Sequence, residues 1–95
     1  MDFKNQVALI TGGARGIGKS ICEHLHMAGA QIAVCDVNLE GAQALASELS
    51  GKGAQARGYL CDVSSAQGAD GCIEQVVKDF GRLDVLINNA GITRD

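Results

Sequence analysis

The chain has 95 residues, enough for one domain, and at this length a compact fold buries somewhat over ~60% of the surface its unfolded chain exposes. Hydrophobic residues make up 46% and charged residues 20%, ordinary for a soluble globular protein, which argues against disorder and against a membrane span. Eight Lys and Arg are scattered among 11 Asp and Glu, with no basic cluster to meet a phosphate backbone, so nucleic acid is excluded as a partner.

The polar opening Met1–Gln6 leads into an apolar run too short for a signal-peptide core, and a cytoplasmic location is the default expectation. Gln6 to Thr11 (QVALIT) is apolar and β-rich and breaks into glycines, which predicts a buried first strand. Ile17, Ile21 and Leu25 follow at fourfold spacing with Cys22 and Ala28 beside them, predicting a helix that ends at Gly29. His24 and His26 on that helix are two apart and point to different faces, where a metal pair needs i, i+4 spacing.

The unit then repeats. Gln31 to Cys35 (QIAVC) reads as a second strand closed by Asp36, and Ala42, Leu45, Ala46 and Leu49 mark a second helix that frays into residues 50–53. Gln55 to Cys61 is a more polar third strand, suited to a sheet edge. Ser64 or Ser65 caps a third helix with an expected apolar face of Ile73, Val76, Val77 and Phe80, its first turns weakened by ~1 kcal/mol at each of Gly68 and Gly71. Leu83 to Ile87 (LDVLI) is the fourth strand. Cys22, Cys35, Cys61 and Cys72 are spaced 13, 26 and 11 apart with no C-x-x-C pair, so four buried, reduced thiols and no metal site are expected.

Strands alternating with helices across short links, without proline, require parallel strands joined by right-handed crossovers. The fold class is therefore α/β, the N-terminal part of a doubly wound parallel sheet with strand order 3-2-1-4, ending after strand four. Strand four would carry an exposed apolar edge, and residues 1–95 read as a fragment, the N-terminal half of a single domain.

Thr11-Gly-Gly-Ala-Arg-Gly-Ile-Gly18 lies between the first strand and the first helix, where a pyrophosphate finds backbone N–H donors and the positive end of the helix dipole. Gly12 permits the tight turn, Gly16 lets the backbone approach the ligand, and Gly18 lets helix and strand pack closely. Asp36, eighteen residues beyond Gly18 at the end of the second strand, is placed to accept from the adenosine ribose hydroxyls and to repel a 2′-phosphate, which favours NAD(H) over NADP(H). Arg15 in the glycine loop argues the other way, since a guanidinium pairs with a 2′-phosphate. A turn or capping residue is the plain alternative for Asp36.

Thr11-Gly12-x-x-x-Gly16-x-Gly18, Asp62-Val63 after strand three and Asn88-Asn89-Ala90-Gly91 after strand four together resemble the short-chain dehydrogenase/reductase superfamily, whose nucleotide-binding domain is a Rossmann fold. Within it, Asn88 through Asp95 most resembles the bacterial 3-oxoacyl-[acyl-carrier-protein] reductases of fatty acid biosynthesis. The resemblance implies that Gly12, Gly13, Arg15, Gly16, Ile17 and Gly18 line the pyrophosphate, with Asp36 at the ribose. It further implies that Asp62 accepts from the adenine amino group while the Val63 backbone flanks the ring. Asn89, Ala90 and Gly91 would pass beneath the nicotinamide ribose, and Asn88 would tie the central strands together.

The family's catalytic serine and Tyr-x-x-x-Lys have no counterpart in this chain: Val63 stands four residues after the only tyrosine, Tyr59. No catalytic residue is assigned, and the 95 residues are expected to be inactive alone. The intact form would act on the 3-keto group of an acyl chain on acyl carrier protein, as a homo-oligomer. Another short-chain alcohol or polyol dehydrogenase and a non-catalytic NAD-binding module are the alternatives.

Overall fold

The computed structural model describes residues 2–89. Its elements run β1 (Val7–Thr11), α1 (Gly16–Met27), β2 (Gln31–Asp36), α2 (Leu39–Ser50), β3 (Ala56–Leu60), α3 (Ala66–Phe80) and β4 (Val85–Asn88). The strands form one parallel sheet in the order β3-β2-β1-β4, as the alternation of elements predicts. β1 pairs on both sides, with Leu9 opposite Ala33 and Leu86, and all five of its residues are buried. A strand covered on both faces has no use for polar alternation, which is why VALIT reads as a continuous apolar run.

Period-two alternation sorts the strand side chains into two cores. Ala8, Ile10, Ile32 and Val34 face α1 and α2, where they meet Cys22, Ala42, Leu45, Ala46 and Leu49. Val7, Leu9, Ala33 and Cys35 face α3, where they meet Cys72 and Val76. Among the described residues no helix is long and apolar enough to cross a membrane.

Three expectations shift. The buried line of α1 is Gly18, Cys22 and His26, not Ile17, Ile21 and Leu25: Ile17 is 69% exposed, and Ile21 and Leu25 flank the core half-buried. The side-chain-free Gly18 packs directly on the Gly12 backbone just past β1, where a Cβ would collide, so this face turns inward. His26 is buried because its Nε2–H donates to the Ala54 carbonyl at 2.8 Å. On α3, Cys72 takes the inward place expected of Val77, which is 41% exposed, while Ile73 and Phe80 are half-buried.

β4 begins two residues later than expected. The Val7 N–H donates to the Asp84 carboxylate at 2.8 Å rather than to a strand carbonyl, and Arg82 grips that carboxylate with two bonds of 2.8 and 2.9 Å. The Asp84 N–H in turn donates to the Val7 carbonyl at 2.9 Å, so backbone and side chain of Asp84 together tie the chain to β1 just before β4 begins. The expected apolar edge is carried by Leu86, 52% exposed, while Val85 and Ile87 pack half-buried against the α1–α2 core.

Candidate functional site

All four strands end on one side of the sheet, and the residues singled out from the sequence gather there. β1 runs out at Thr11 into a crook in which Gly12 and Gly16 both adopt φ near +60° (63° and 61°), a region that costs any side chain with a Cβ. Helix α1 starts at Gly16 with Arg15 at its N-cap, and among the described residues no side chain caps it. Its first-turn N–H groups have no intrahelical acceptor and lie at the positive end of the helix dipole. A Cβ at Gly16 would meet nothing within 4 Å, so the crook is open on that side.

The other two helices use their first turns internally: the Asn38 side chain accepts from Gly41 N–H at 3.1 Å and the Ser65 hydroxyl from Gly68 N–H at 3.0 Å. The α1 end is therefore the one among these three that keeps its donors for something outside the helix.

Gly18 is held by close approach. A Cβ there would collide with the Gly12 carbonyl and come within 2.8 Å of Asn89 Nδ2. The same Asn89 amide, 4% exposed just past β4, donates to the Gly12 carbonyl at 3.2 Å. Glycine crook, helix start and the end of β4 are thereby fastened together where the strand order reverses, the crevice in which doubly wound sheets take ligands. One strand position earlier, the Thr11 hydroxyl lies 3.0 Å from Asn88 Oδ1, so Asn88 links β4 to β1.

Asp36 ends β2 with both carboxylate oxygens engaged: Oδ2 accepts from Ala14 N–H at 3.0 Å and Oδ1 from Asn38 N–H at 2.9 Å. It clamps the glycine crook to β2 and starts the turn into α2. Each oxygen retains a lone-pair direction, so a ribose hydroxyl can still donate to it. Arg15 and Val37 stand exposed nearby in sequence to the crook and to Asp36, Val37 at 66%.

Gly13 sits at the base of the crook. It is buried, its N–H donates to the Cys35 carbonyl at 3.1 Å, and a Cβ would press within 3.2 Å of Cys22 Sγ, Ile10 O and Val34 Cγ1. It shapes the crook from beneath. Ile17, off the core stripe, is exposed at the start of α1.

Beyond β3, the Asp62 carboxylate accepts from Ser64 N–H at 3.0 Å, and the Ser64 hydroxyl and N–H hold its carboxyl below the usual carboxylate range. Gly68 packs against the Asp62 carbonyl so closely that a Cβ would overlap it. Asp62 therefore both opens the turn into α3 and presents a carboxylate at the sheet's C-terminal edge; Val63 is half-buried with its side chain against the α3 core. Ala90 and Gly91 lie outside the described residues.

Tyr59 lies on edge strand β3, where its hydroxyl donates to Asp79 Oδ2 at 2.8 Å. Burial and that carboxylate push its phenol pKa up, opposite to what proton transfer from a tyrosine requires. Two contributors to this end of the sheet were not singled out from the sequence: Ala14, through its N–H, and Asn38, through its capping side chain. Asn38 was legible as an N-cap immediately before the helix that begins at Leu39; Ala14 acts by backbone alone and leaves no residue-type signal.

An α/β layer with a crooked glycine turn at its strand reversal defines the doubly wound nucleotide-fold class. A family model for short chain dehydrogenase matches residues 6–95. The chain is 44% identical over 95 residues to D-threitol dehydrogenase of Mycolicibacterium smegmatis, covering 98% of this chain and 36% of that protein. It is 39% identical to the 3-oxoacyl-[acyl-carrier-protein] reductase of Escherichia coli, covering 100% of this chain and 38% of that one. Among solved structures, NAD+-bound xylitol dehydrogenase superposes with a TM-score of 0.84 at 36% identity, over 90% of this chain and 33% of that one. Hydroxysteroid dehydrogenase from Escherichia coli superposes with a TM-score of 0.89 at 34% identity, over 95% and 37%. The chain belongs to the short chain dehydrogenase family, and it spans a little over a third of the length of the curated relatives it matches.

Proposed function

We propose that residues 1–95 form the nicotinamide-dinucleotide-binding half of a short-chain oxidoreductase. The observation that carries this reading is the uncapped N-terminus of α1 beside the open glycine crook, which offers N–H donors and a positive dipole end to a pyrophosphate. Asp36 would take the adenosine ribose, Asp62 and Val63 the adenine, and Asn89, Ala90 and Gly91 the ribose next to the nicotinamide. When bound, the cofactor supplies a hydride donor or acceptor for a carbonyl or alcohol carbon. This chain's own share is to bind and orient it. The Asp36 carboxylate supports NAD(H) over NADP(H), and the NAD+-bound state of the xylitol dehydrogenase relative agrees with that preference.

For the whole enzyme, the resemblance around Asn88 supports reduction of a 3-oxoacyl group on acyl carrier protein. A second reading, a polyol dehydrogenase, is favoured by the 44% identity to D-threitol dehydrogenase together with Asp36. Calorimetric titration of the chain with NADH and NADPH tests the shared core of both readings. Saturable binding with NADH the tighter ligand is expected; a folded, monodisperse chain that binds neither would refute the site.

A further inference from the structure

Three of the four cysteines converge on the α3 side of the sheet. Cys35 is the penultimate residue of β2, Cys61 follows β3, and Cys72 lies on the inward face of α3. Cys35 Sγ and Cys72 Sγ are 3.1 Å apart, about 1 Å longer than a disulfide bond. Either thiol can donate in that contact; the hydrogen bonds Cys72 makes with Cys35 and then with Cys61 lower its thiol to about 7 against the opposing effect of burial. The same bond pushes Cys35 up, while burial raises Cys61 to about 12 and, across the sheet, Cys22 to about 12. Negative charge among the four is therefore drawn to Cys72.

Access follows the same order. Cys61 and Cys72 line a cleft of about 100 Å³ between α3 and β4 together with Leu9 and Ile73, whereas Cys35 does not line it and is 0% exposed. Among the described residues no group of three or more His, Cys, Asp and Glu is placed to hold a metal ion.

We propose that Cys72 and Cys35 are an oxidisable dithiol, with Cys72 the residue attacked by a small peroxide and Cys35 the resolving thiol that closes a β2–α3 disulfide. The Cys72 thiolate attacks one peroxide oxygen, the O–O bond breaks, and the departing hydroxide takes a proton to leave as water, giving a sulfenic acid. Cys35 sulfur then attacks Cys72 sulfur, the S–O bond breaks, and the hydroxyl leaves with the Cys35 proton as a second water. Two thiols lose two electrons to one hydrogen peroxide. The bond would tie α3 to the strand whose next residue, Asp36, holds the glycine crook through Ala14.

The test is to expose the full chain in native buffer to hydrogen peroxide, block remaining thiols with N-ethylmaleimide, and cleave after acidic residues. Glu23, Asp36, Asp62, Asp70 and Glu74 then place each cysteine in its own peptide. A Cys35–Cys72 cross-link, lost on reduction, is expected as the main product. Cys61→Ser should retain it, and the double variant Cys35→Ser/Cys61→Ser, which leaves Cys72 with no resolving thiol beside it, should stop at a dimedone-reactive Cys72. In a urea-unfolded chain, loop closure favours the 11-residue Cys61–Cys72 separation over the 37-residue one by about sixfold, so native selectivity is readable against it. A Cys61–Cys72 product as the main species in native buffer, a dimedone adduct on Cys35, or no cross-link would each overturn the proposal.

Discussion

Gly68 and Gly71 stand three residues apart on α3, and a single methyl added at each should move stability in opposite directions. In a helix, alanine is favoured over glycine by about 1 kcal/mol, and on propensity alone both substitutions gain that amount. A Cβ at Gly71 meets nothing within 4 Å, so Gly71→Ala should keep the full gain. For a domain of this size about 1 kcal/mol corresponds to roughly 5 °C in Tm. A Cβ at Gly68 would overlap the backbone carbonyl of Asp62 and come within 3.1 Å of the Ser65 hydroxyl that caps the helix. Neither a carbonyl fixed in a turn nor a cap can move without breaking a bond, and overpacking costs about 1–3 kcal/mol against the ~1 gained. Gly68→Ala should therefore lower Tm, and Gly71→Ala should raise it, in thermal unfolding followed by circular dichroism. Equal rises for both would refute the close packing of α3 on the Asp62 turn, and with it the placement of Asp62 at the edge of the site.

Ser65→Ala removes the acceptor for Gly68 N–H and should cost about 1 kcal/mol, read as a shifted urea midpoint with unchanged slope. Asp84→Ala should lower Tm and flatten the acid limb of stability. Arg82 and the Val7 N–H hold the folded Asp84 carboxyl below its ordinary value near 4, so its contribution is complete above about pH 4 and is lost as pH falls through that lower folded value. A wild type and variant with parallel stability profiles between pH 5 and pH 2 would contradict this. Asp36→Ala combined with Val37→Arg should shift the ratio of NADPH to NADH affinity toward NADPH, measured by calorimetry; an unchanged ratio would remove Asp36 from the ribose.

Residue type and period carried most of the fold. The α2 face of Ala42, Leu45, Ala46 and Leu49 is buried as the pattern requires, because four apolar residues at i, i+3, i+4 and i+7 leave one way to turn the helix. The glycine crook and its neighbours at strand ends were likewise legible, since topology alone brings the ends of parallel strands to one side. The failures have a common cause in contacts that depend on tertiary approach. Gly18 turns α1 by pressing on Gly12, and no periodicity rule weighs a missing side chain as the most buried position. Asp84, just before β4, accepts with its carboxylate from the Val7 N–H 77 residues away, a contact no local pattern announces. The convergence of Cys35, Cys61 and Cys72 is equally invisible to spacing, because it is made by a crossover between β3 and β4.

The double use of Asp36 bears on how cofactor preference can be tested. Because its carboxylate holds Ala14 N–H and Asn38 N–H, deleting it loosens the crook that would bind the pyrophosphate as well as the contact that would choose between ribose and ribose phosphate. The first effect weakens both dinucleotides alike, as uniform loss of a shared contact does; the second changes only their ratio. Asp36→Asn keeps one acceptor oxygen for the crook and lowers the charge, so it should retain more total affinity than Asp36→Ala while moving the ratio in the same direction. Were the two variants to lose affinity equally with the ratio fixed, Asp36 would be a clamp for the crook and nothing more. Selectivity against a 2′-phosphate would then have to come from another group at this end of the sheet.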